Sequence, residues 1–304
     1  MALALVLAMI LYEGPSLLDS SVEVVVIATE DSNPKTGRML FTWILRQDRP
    51  PEVAAYDGSD DAICGDCKFR AQLDSRGWDP EWDASVQAPP FMQKSRTCYV
   101  RLSPAEGADE TMPPSEVWRA WKAGKFYGGP QIVSGMRDPN TDECIWEQVL
   151  EGNTYWQYRG PLPVRIGSYG DPAAVPTRVW AALVRYAKHW TGYTHFCRTC
   201  DPDLKRYCMA SVDTPEERAE AQALGWRTFM VVPENRKEVM WNGTARAETV
   251  DMTVGGTDIL CPATDPHPKR NATCSTCLLC RGTSAPAPSI WEISHGKNAS
   301  NHTW

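Results

Sequence analysis

Seven cysteines fall into two sets whose spacing suits metal chemistry. Near the C-terminus, Cys261-Pro-Ala is followed by Cys274-x-x-Cys277-x-x-Cys280. Upstream, Cys64-x-x-Cys67 is followed by a lone Cys98-Tyr99. Thiols spaced three residues apart turn inward in one tight loop, and Cys261 reaches them from the end of an extended stretch. Four thiolates close a tetrahedral zinc site or hold a [4Fe-4S] cluster. Three thiolates leave a position open. That position is either the free iron of a cluster or the gap in a zinc site completed from elsewhere, with Asp66 and Cys144 the candidates. Closed sites tend to be structural, whereas open ones do chemistry.

A second group of residues falls at the expected ends of strands. Gly167-Ser168-Tyr169-Gly170-Asp171-Pro172 follows an apolar PVRI stretch. Gly167 and Gly170 let a backbone approach a ligand, and Asp171 accepts from an amine or hydroxyl, or simply caps a turn. Tyr193 and His195 end the next strand, and Ser211 and Asp213 the one after. Ligands of open and barrel α/β folds sit at such carboxyl ends, which makes these residues catalytic or binding candidates. Asp213 alternatively only leads into a helix. The loop His195-x-Cys197-x-x-Cys200, with Cys208, holds the donor types for a local zinc site or is ordinary packing. His295 near the C-terminus reads as structural. No Walker loop, G-x-G-x-x-G, HExxH or G-x-S-x-G occurs, so P-loop, dinucleotide and triad chemistry have no support.

Positioning these groups requires a sheet. Residues 22–29 (VEVVVIAT) and 39–45 (MLFTWIL) read as strands paired in a hairpin across a DSNPKTG turn. Residues 48–98 read as loop, 114–123 as a helix with proline at its start, and 124–160 resist assignment. Strands follow at 163–166, 191–194, 207–212 and 227–232. Helices are expected over 177–190 and from Thr214-Pro215-Glu216-Glu217 to Leu224. This alternation predicts an α/β fold with a partial, barrel-like (β/α) parallel sheet and cysteine-rich loops near both ends of the chain. The expected divisions are a β-rich segment (1–60), an α/β core (61–260), a four-cysteine metal module (261–295) and a disordered tail (296–304).

Bulk properties narrow the class. A length of 304 residues allows one large domain or two ordinary ones, and the 42% hydrophobic content is ample for a core. The formal charge of -7 disfavours a broad grip on nucleic acid. Eleven cysteines, an odd count, cannot all pair internally, and the C-x-x-C spacing favours metal in a reducing cytoplasm. The apolar run 2–11 lacks a preceding basic residue and is too short to span a bilayer. It therefore reads as a buried strand or short helix rather than a signal peptide, and no membrane partner is expected. Thirteen tryptophans, several beside Lys or Arg, read as packing or as a stacking platform.

The order Cys…Cys-Tyr, VRIGSYGDP, GYTH, MASVD, CPA, CxxCxxC and I-x-x-x-H-G resembles the phage "gene product 88" family over about residues 60–295. Gly167 stands where those relatives often carry His, and the Cys197/Cys200/Cys208 loop is an addition. That family is in turn distantly similar to radical S-adenosylmethionine enzymes, and the C-x2-C-x2-C run resembles bacterial ferredoxins. The resemblance implies a [4Fe-4S] cluster on Cys64, Cys67 and Cys98, and S-adenosylmethionine held by Gly170 and Asp171. It further implies a site rim of Tyr193, His195, Ser211 and Asp213, an auxiliary cluster or zinc on the last four cysteines, and a cytoplasmic setting in a phage-carrying bacterium. Those enzymes place their three cysteines in one short loop, whereas here about thirty residues separate Cys67 from Cys98. The rival expectation is a zinc-stabilised, non-catalytic phage protein that binds nucleic acid or a host protein.

Overall fold

The computed structural model describes residues 8–70, 98, 100–102, 112–125, 136–137, 144–150, 153–159, 162–185, 187, 189–232, 258–263, 272–277, 279–284 and 287–293. Two long apolar runs, the first rich in β-branched residues, form its most buried part. Strand β2 (Glu23–Asn33) and strand β3 (Gly37–Arg46) pair as an antiparallel hairpin, and β1 (Ala8–Pro15) adds to the far side of β2. Val24 through Ala28 are wholly buried, as are Ile44 and Leu45. A continuous apolar run rather than an alternating one means that both faces of the hairpin are covered. Burying each such side chain contributes about 1.5–3 kcal/mol. The expected hairpin is thus present, and the part of the apolar run 2–11 that is described begins β1 as a strand.

The segment after β3 is less loop-like than its sequence suggests. It forms helix α1 (Pro51–Asp57) and the short α2 (Asp61–Cys64), while α3 (Pro114–Lys122) matches its expectation. Residues 124–160 contribute a separate three-stranded antiparallel sheet of β4 (Met136–Arg137), β5 (Cys144–Leu150) and β6 (Asn153–Arg159). Then the parallel part begins with β7 (Val164–Tyr169), α4 (Thr177–Val184) and β8 (Trp190–Thr194). It continues through β9 (Met209–Val212), α5 (Pro215–Ala223) and β10 (Thr228–Val232). Helix α4 is shorter than expected, and Trp190 opens a strand instead of closing a helix. Apolar periodicity continues past Val184, but Trp190 is claimed by parallel pairing with Val164. Helix α5 starts as read, with Thr214 Oγ1 accepting from Glu217 N at 3.2 Å.

The last elements are β11 (Ile259–Leu260), α6 (Cys274–Cys277) and β12 (Ile290–Ile293). The main sheet has nine strands in the order β1-β2-β3-β7-β8-β9-β10-β12-β11. Every pairing from β3 to β11 is parallel. The final strand β12 is inserted between β10 and β11, so strands from the beginning, middle and end of the chain share one sheet. The fold is mixed α/β with a largely parallel sheet. That sheet stays open, with β1 and β11 as its edges, and no barrel closure is seen. Among the described residues no helix is long and apolar enough to cross a membrane. His295 and the tail from 296 lie outside the described residues.

One buried charge gives a stability prediction. Glu52, in the first turn of α1, is fully buried; Arg119 donates to its Oε1, and its Oε2 meets no partner among the described residues. Burial raises the carboxyl pKa, and Arg119 only partly offsets this. The folded chain therefore holds this proton to higher pH than the unfolded chain does. Stability falls as pH rises from the unfolded pKa through the folded one, and the full cost is present at neutral pH. Glu52→Gln is expected to raise the melting temperature at pH 7, because the half-exposed Arg119 is rehydrated. The gain should shrink toward about pH 4, where the unfolded carboxyl protonates as well. A lower melting temperature for the variant at pH 7 would show that the ion pair outweighs the burial.

Candidate metal and strand-end site

The loop carrying Cys64 and Cys67 is pinned from several sides. Asp171 N donates to Ile63 O at 2.6 Å, which ties α2 to the end of β7, and Ser16 Oγ donates to Ala62 O at 2.6 Å, which ties it to the end of β1. Arg70 reaches back over the loop, donating to Asp60 Oδ1 at 2.7 Å and to the carbonyls of Gly58 and Gly65. Gly65 has a φ of +54°, and a Cβ there would fall inside the Phe196 ring, so this position admits only glycine. Cys98 N donates to Phe69 O at 2.9 Å and brings the distant third cysteine to the same loop. The Cys67 thiol is pushed up to about 12 by burial and by the nearby Cys98, with Asp171 and Asp213 adding to the shift. Thirty residues of intervening chain therefore do not keep Cys98 from Cys67.

The strand-end residues gather beneath this loop. Asp171 is buried and its carboxylate is the hub. Oδ1 accepts from Ala173 N at 2.9 Å and from Thr194 Oγ1 at 2.6 Å, while Oδ2 accepts from His195 N at 2.8 Å. The His195 imidazole Nδ1 lies 3.6 Å from Asp171 Oδ2, close enough for charge attraction but too long for a formed hydrogen bond. Burial pulls the His195 pKa down, but Asp171, with Asp213 and Glu217, outweighs it, and the net direction is up. Asp213 is buried; its N–H donates to Glu217 Oε2 at 2.8 Å and its Oδ2 lies 3.1 Å from Lys68 Nζ. Phe69 meets the His195 ring edge-on, with centroids 6.1 Å apart. Ser211 lies half-buried on β9, in register with Phe229.

Both glycines of the strand end have reasons internal to the fold. Between Phe41↔Arg165 and Trp43↔Tyr169, β3 advances two residues and β7 four, so β7 bulges at 166–168. Gly167 sits in that bulge at φ +67°, with its N–H donating to Thr42 Oγ1 at 2.8 Å. Gly170, at φ +81°, leaves only 2.6 Å between a notional Cβ and Ile44 Cβ.

The C-terminal thiols occupy a different place. Helix α6 rests on the β2–β3 turn, where Cys274 N donates to Lys35 O at 3.1 Å and Ser275 N to Thr36 O at 2.8 Å. Cys261 N donates to Trp291 O at 2.8 Å, and Gly192 N donates to Cys280 O at 3.1 Å. Cys261 and Cys280 pack with Met209 and Ile290 against Tyr193 and Phe229. Burial pushes Cys261 up to about 12, and it pushes Cys280 up further. Cys261, Cys274 and Cys277 add to the upward shift of Cys280. Tyr193 hydrogen-bonds the Cys280 thiol, and burial raises its own phenol pKa. Tyr193 therefore belongs with these thiols and not with the strand-end rim. The signal that would have placed it, its contact with Cys280, does not exist in one dimension.

The additional loop folds between β8 and β9. Cys197, Cys200 and Cys208 interact in sequence, and burial pushes Cys200 up to about 12. Cys208 lies under β8, so close to Gly192 that a Cβ there would come within 2.8 Å of its sulfur. Asp66 is exposed, and the Cys144 thiol lies outside what is described. No disulfide joins the described cysteines. Among the described residues, no three His, Cys, Asp or Glu side chains converge as placed into a group that could hold a metal ion. Comparison with protein families, with curated proteins and with solved structures finds no match for this chain.

Proposed function

We propose that this chain is a metalloenzyme. Cys64, Cys67 and Cys98 hold an iron–sulfur centre over the strand ends, and Cys261, Cys274, Cys277 and Cys280 hold a second, closed centre. The observation behind this is the meeting of Cys67 and Cys98 with Asp171, His195 and Asp213 at the carboxyl ends of β7, β8 and β9. The donor types suit such centres: the thiols form no disulfides, Cys261, Cys274 and Cys280 are buried and Cys64, Cys67, Cys98 and Cys277 half-buried, and side-chain rotation is needed for either set to close on an ion. Such a cluster supplies one-electron chemistry, and with S-adenosylmethionine, as the resemblance implies, it would initiate hydrogen abstraction. Within the proposal, Asp171 is a positioning residue because its carboxylate is engaged by protein donors, and it sets the orientation of His195. Lys68 and Asp213 form the charged wall of the site. A partial barrel, a cytoplasmic setting in a phage-carrying bacterium, and a small-molecule or macromolecular substrate belong to the same reading.

Purification without air, with iron and sulfide supplied, should yield brown protein with iron and sulfide for two centres. Cys67→Ser and Cys98→Ser should each lower iron by one centre's share. Colourless protein containing zinc alone would end the iron–sulfur reading.

A second reading, a zinc-stapled phage protein that binds nucleic acid or a host protein, draws on one surface feature. Lys122 Nζ lies 5.4 Å from the Trp118 ring centroid and 4.8 Å from that of Trp121, a cation–aromatic patch on which a base can stack. Failure to shift DNA or RNA even at low salt would remove its nucleic-acid form.

A further inference from the structure

The loop between β8 and β9 carries thiols that lie outside both proposed centres. Two of them, Cys197 and Cys200, sit in one tight turn. Phe196 O accepts from Thr199 N at 3.0 Å and from Cys200 N at 2.9 Å, so the backbone closes a single helical turn over 196–200. Residues three apart on such a turn share a face, with Cα atoms about 5 Å apart. A disulfide needs Cα atoms about 4.4–6.8 Å apart, so the backbone already has the spacing for one. Both residues are free thiols.

The turn is held firmly and its two thiols differ in access. His195 N donates to Asp171 Oδ2 at 2.8 Å and Phe196 N to Thr194 Oγ1 at 3.1 Å, which anchors the turn to the end of β8. Between the cysteines, Arg198 pairs with Glu220 of α5 at 2.6 Å. Phe196 packs its ring on Gly65, so the turn abuts the Cys64–Cys67 loop. Cys197 is buried and Cys200 half-buried, which makes Cys200 the thiol that a reagent reaches first. Cys208, the third thiol of the loop, is fully buried. Burial pushes Cys200 up to about 12 and raises Cys197 as well. Exchange at neutral pH is therefore slow. A disulfide once formed is also held against reduction, because easily reduced disulfides are those whose thiolates are stabilised.

We propose that Cys197 and Cys200 form a reversible dithiol–disulfide site whose substrate is a low-molecular-weight disulfide of the glutathione class. The Cys200 sulfur gives up its proton and attacks one sulfur of the substrate, forming a mixed disulfide and releasing the first thiol. The Cys197 sulfur then gives up its proton, attacks the Cys200 sulfur and expels the second thiol. One S–S bond in the substrate is exchanged for one in the protein. Two electrons pass to the substrate, and the two protons end on the released thiols. In a reducing cytoplasm such a bond is transient, which suits sensing of oxidation rather than a permanent staple. The inference goes beyond the metal centres and does not depend on them.

The test uses full-length protein purified without air and equilibrated with reduced and oxidised glutathione. Acid quenching, alkylation of the remaining thiols and trypsin digestion follow. Arg198, Lys205 and Arg206 put the three loop cysteines on separate peptides, 189–198, 199–205 and 207–218, so mass spectrometry reads each linkage directly. Peptides 189–198 and 199–205 should become linked in the wild type as oxidised glutathione rises, and the link should be lost on adding dithiothreitol. Cys197→Ser should instead accumulate glutathione on Cys200, because the thiol that displaces it is gone. A wild type that gives no such link in fully oxidising buffer would overturn the proposal, and this measurement needs no variant to fold. A link between Cys200 and Cys208 in its place would also overturn it. So would thiols at 197 and 200 that react only after a chelator is added, since a bound metal would then be their use.

Discussion

Cys280→Ala is expected to unfold the protein more readily than any other single change proposed here, with a loss of several kcal/mol and a drop in melting temperature of 10 °C or more. A closed four-thiolate site contributes binding free energy of about 10–16 kcal/mol in small zinc domains, and that energy is folding energy because the unfolded chain has no site. Here the cysteine segment also ties distant elements together. Cys280 O accepts from β8, α6 hydrogen-bonds to the β2–β3 turn, and Cys261 joins β12. At roughly 1.5 °C per kcal/mol for a chain of 304 residues, about half of such a site energy already gives a shift of that size. A chelator strong enough to strip the wild type should produce a shift of similar size, and it should do little more to Cys280→Ala. A variant that melts within 2 °C of wild type, with or without chelator, would mean these thiols are merely packed. Tyr193→Phe is the milder control, since it removes one hydrogen bond to Cys280 and leaves the sulfur in place.

Asp171→Ala should be nearly as damaging, and for a reason independent of any metal. Three donors, Ala173 N, Thr194 Oγ1 and His195 N, lose their acceptor at once. Stranded buried donors cost about 1–3 kcal/mol each, and a lost cap about 1 kcal/mol, but relaxation and water entry recover part of this. A destabilisation of about 3–5 kcal/mol follows, to be read as a lower urea midpoint with an unchanged slope. Asp171→Asn retains an acceptor oxygen but turns a donor group toward one of those partners, so it should fall between the two. If Asp171→Ala lowered the unfolding free energy by less than about 0.5 kcal/mol, the hub would be wrong and a role in contacting a ligand would regain ground.

Much of the architecture is legible in one dimension because it is encoded locally. The β-branched run at 22–29 and the apolar run at 39–45 read as strands. Thr214-Pro215-Glu216-Glu217 starts a helix by capping, and the alternation after residue 163 demands parallel pairing. The C-x-x-C spacings are where the proposal of metal chemistry starts. What one dimension leaves open is set by contacts between distant segments. Trp190 is helical by periodicity, yet its pairing with Val164 makes it a strand. Gly167 and Gly170 suggest room for a ligand, but a two-residue bulge and the Ile44 side chain account for both.

The candidate site divides in the same way. Residue types and their place at strand ends single out Asp171, His195 and Asp213 from sequence alone. Only the fold shows that the Asp171 carboxylate is engaged by three protein donors and that Tyr193 packs with the C-terminal thiols. Local propensity acts over a few residues and is written into the chain. Burial, hydrogen-bond satisfaction and the meeting of charges are properties of neighbours in space, and the sheet order that inserts β12 between β10 and β11 decides who those neighbours are.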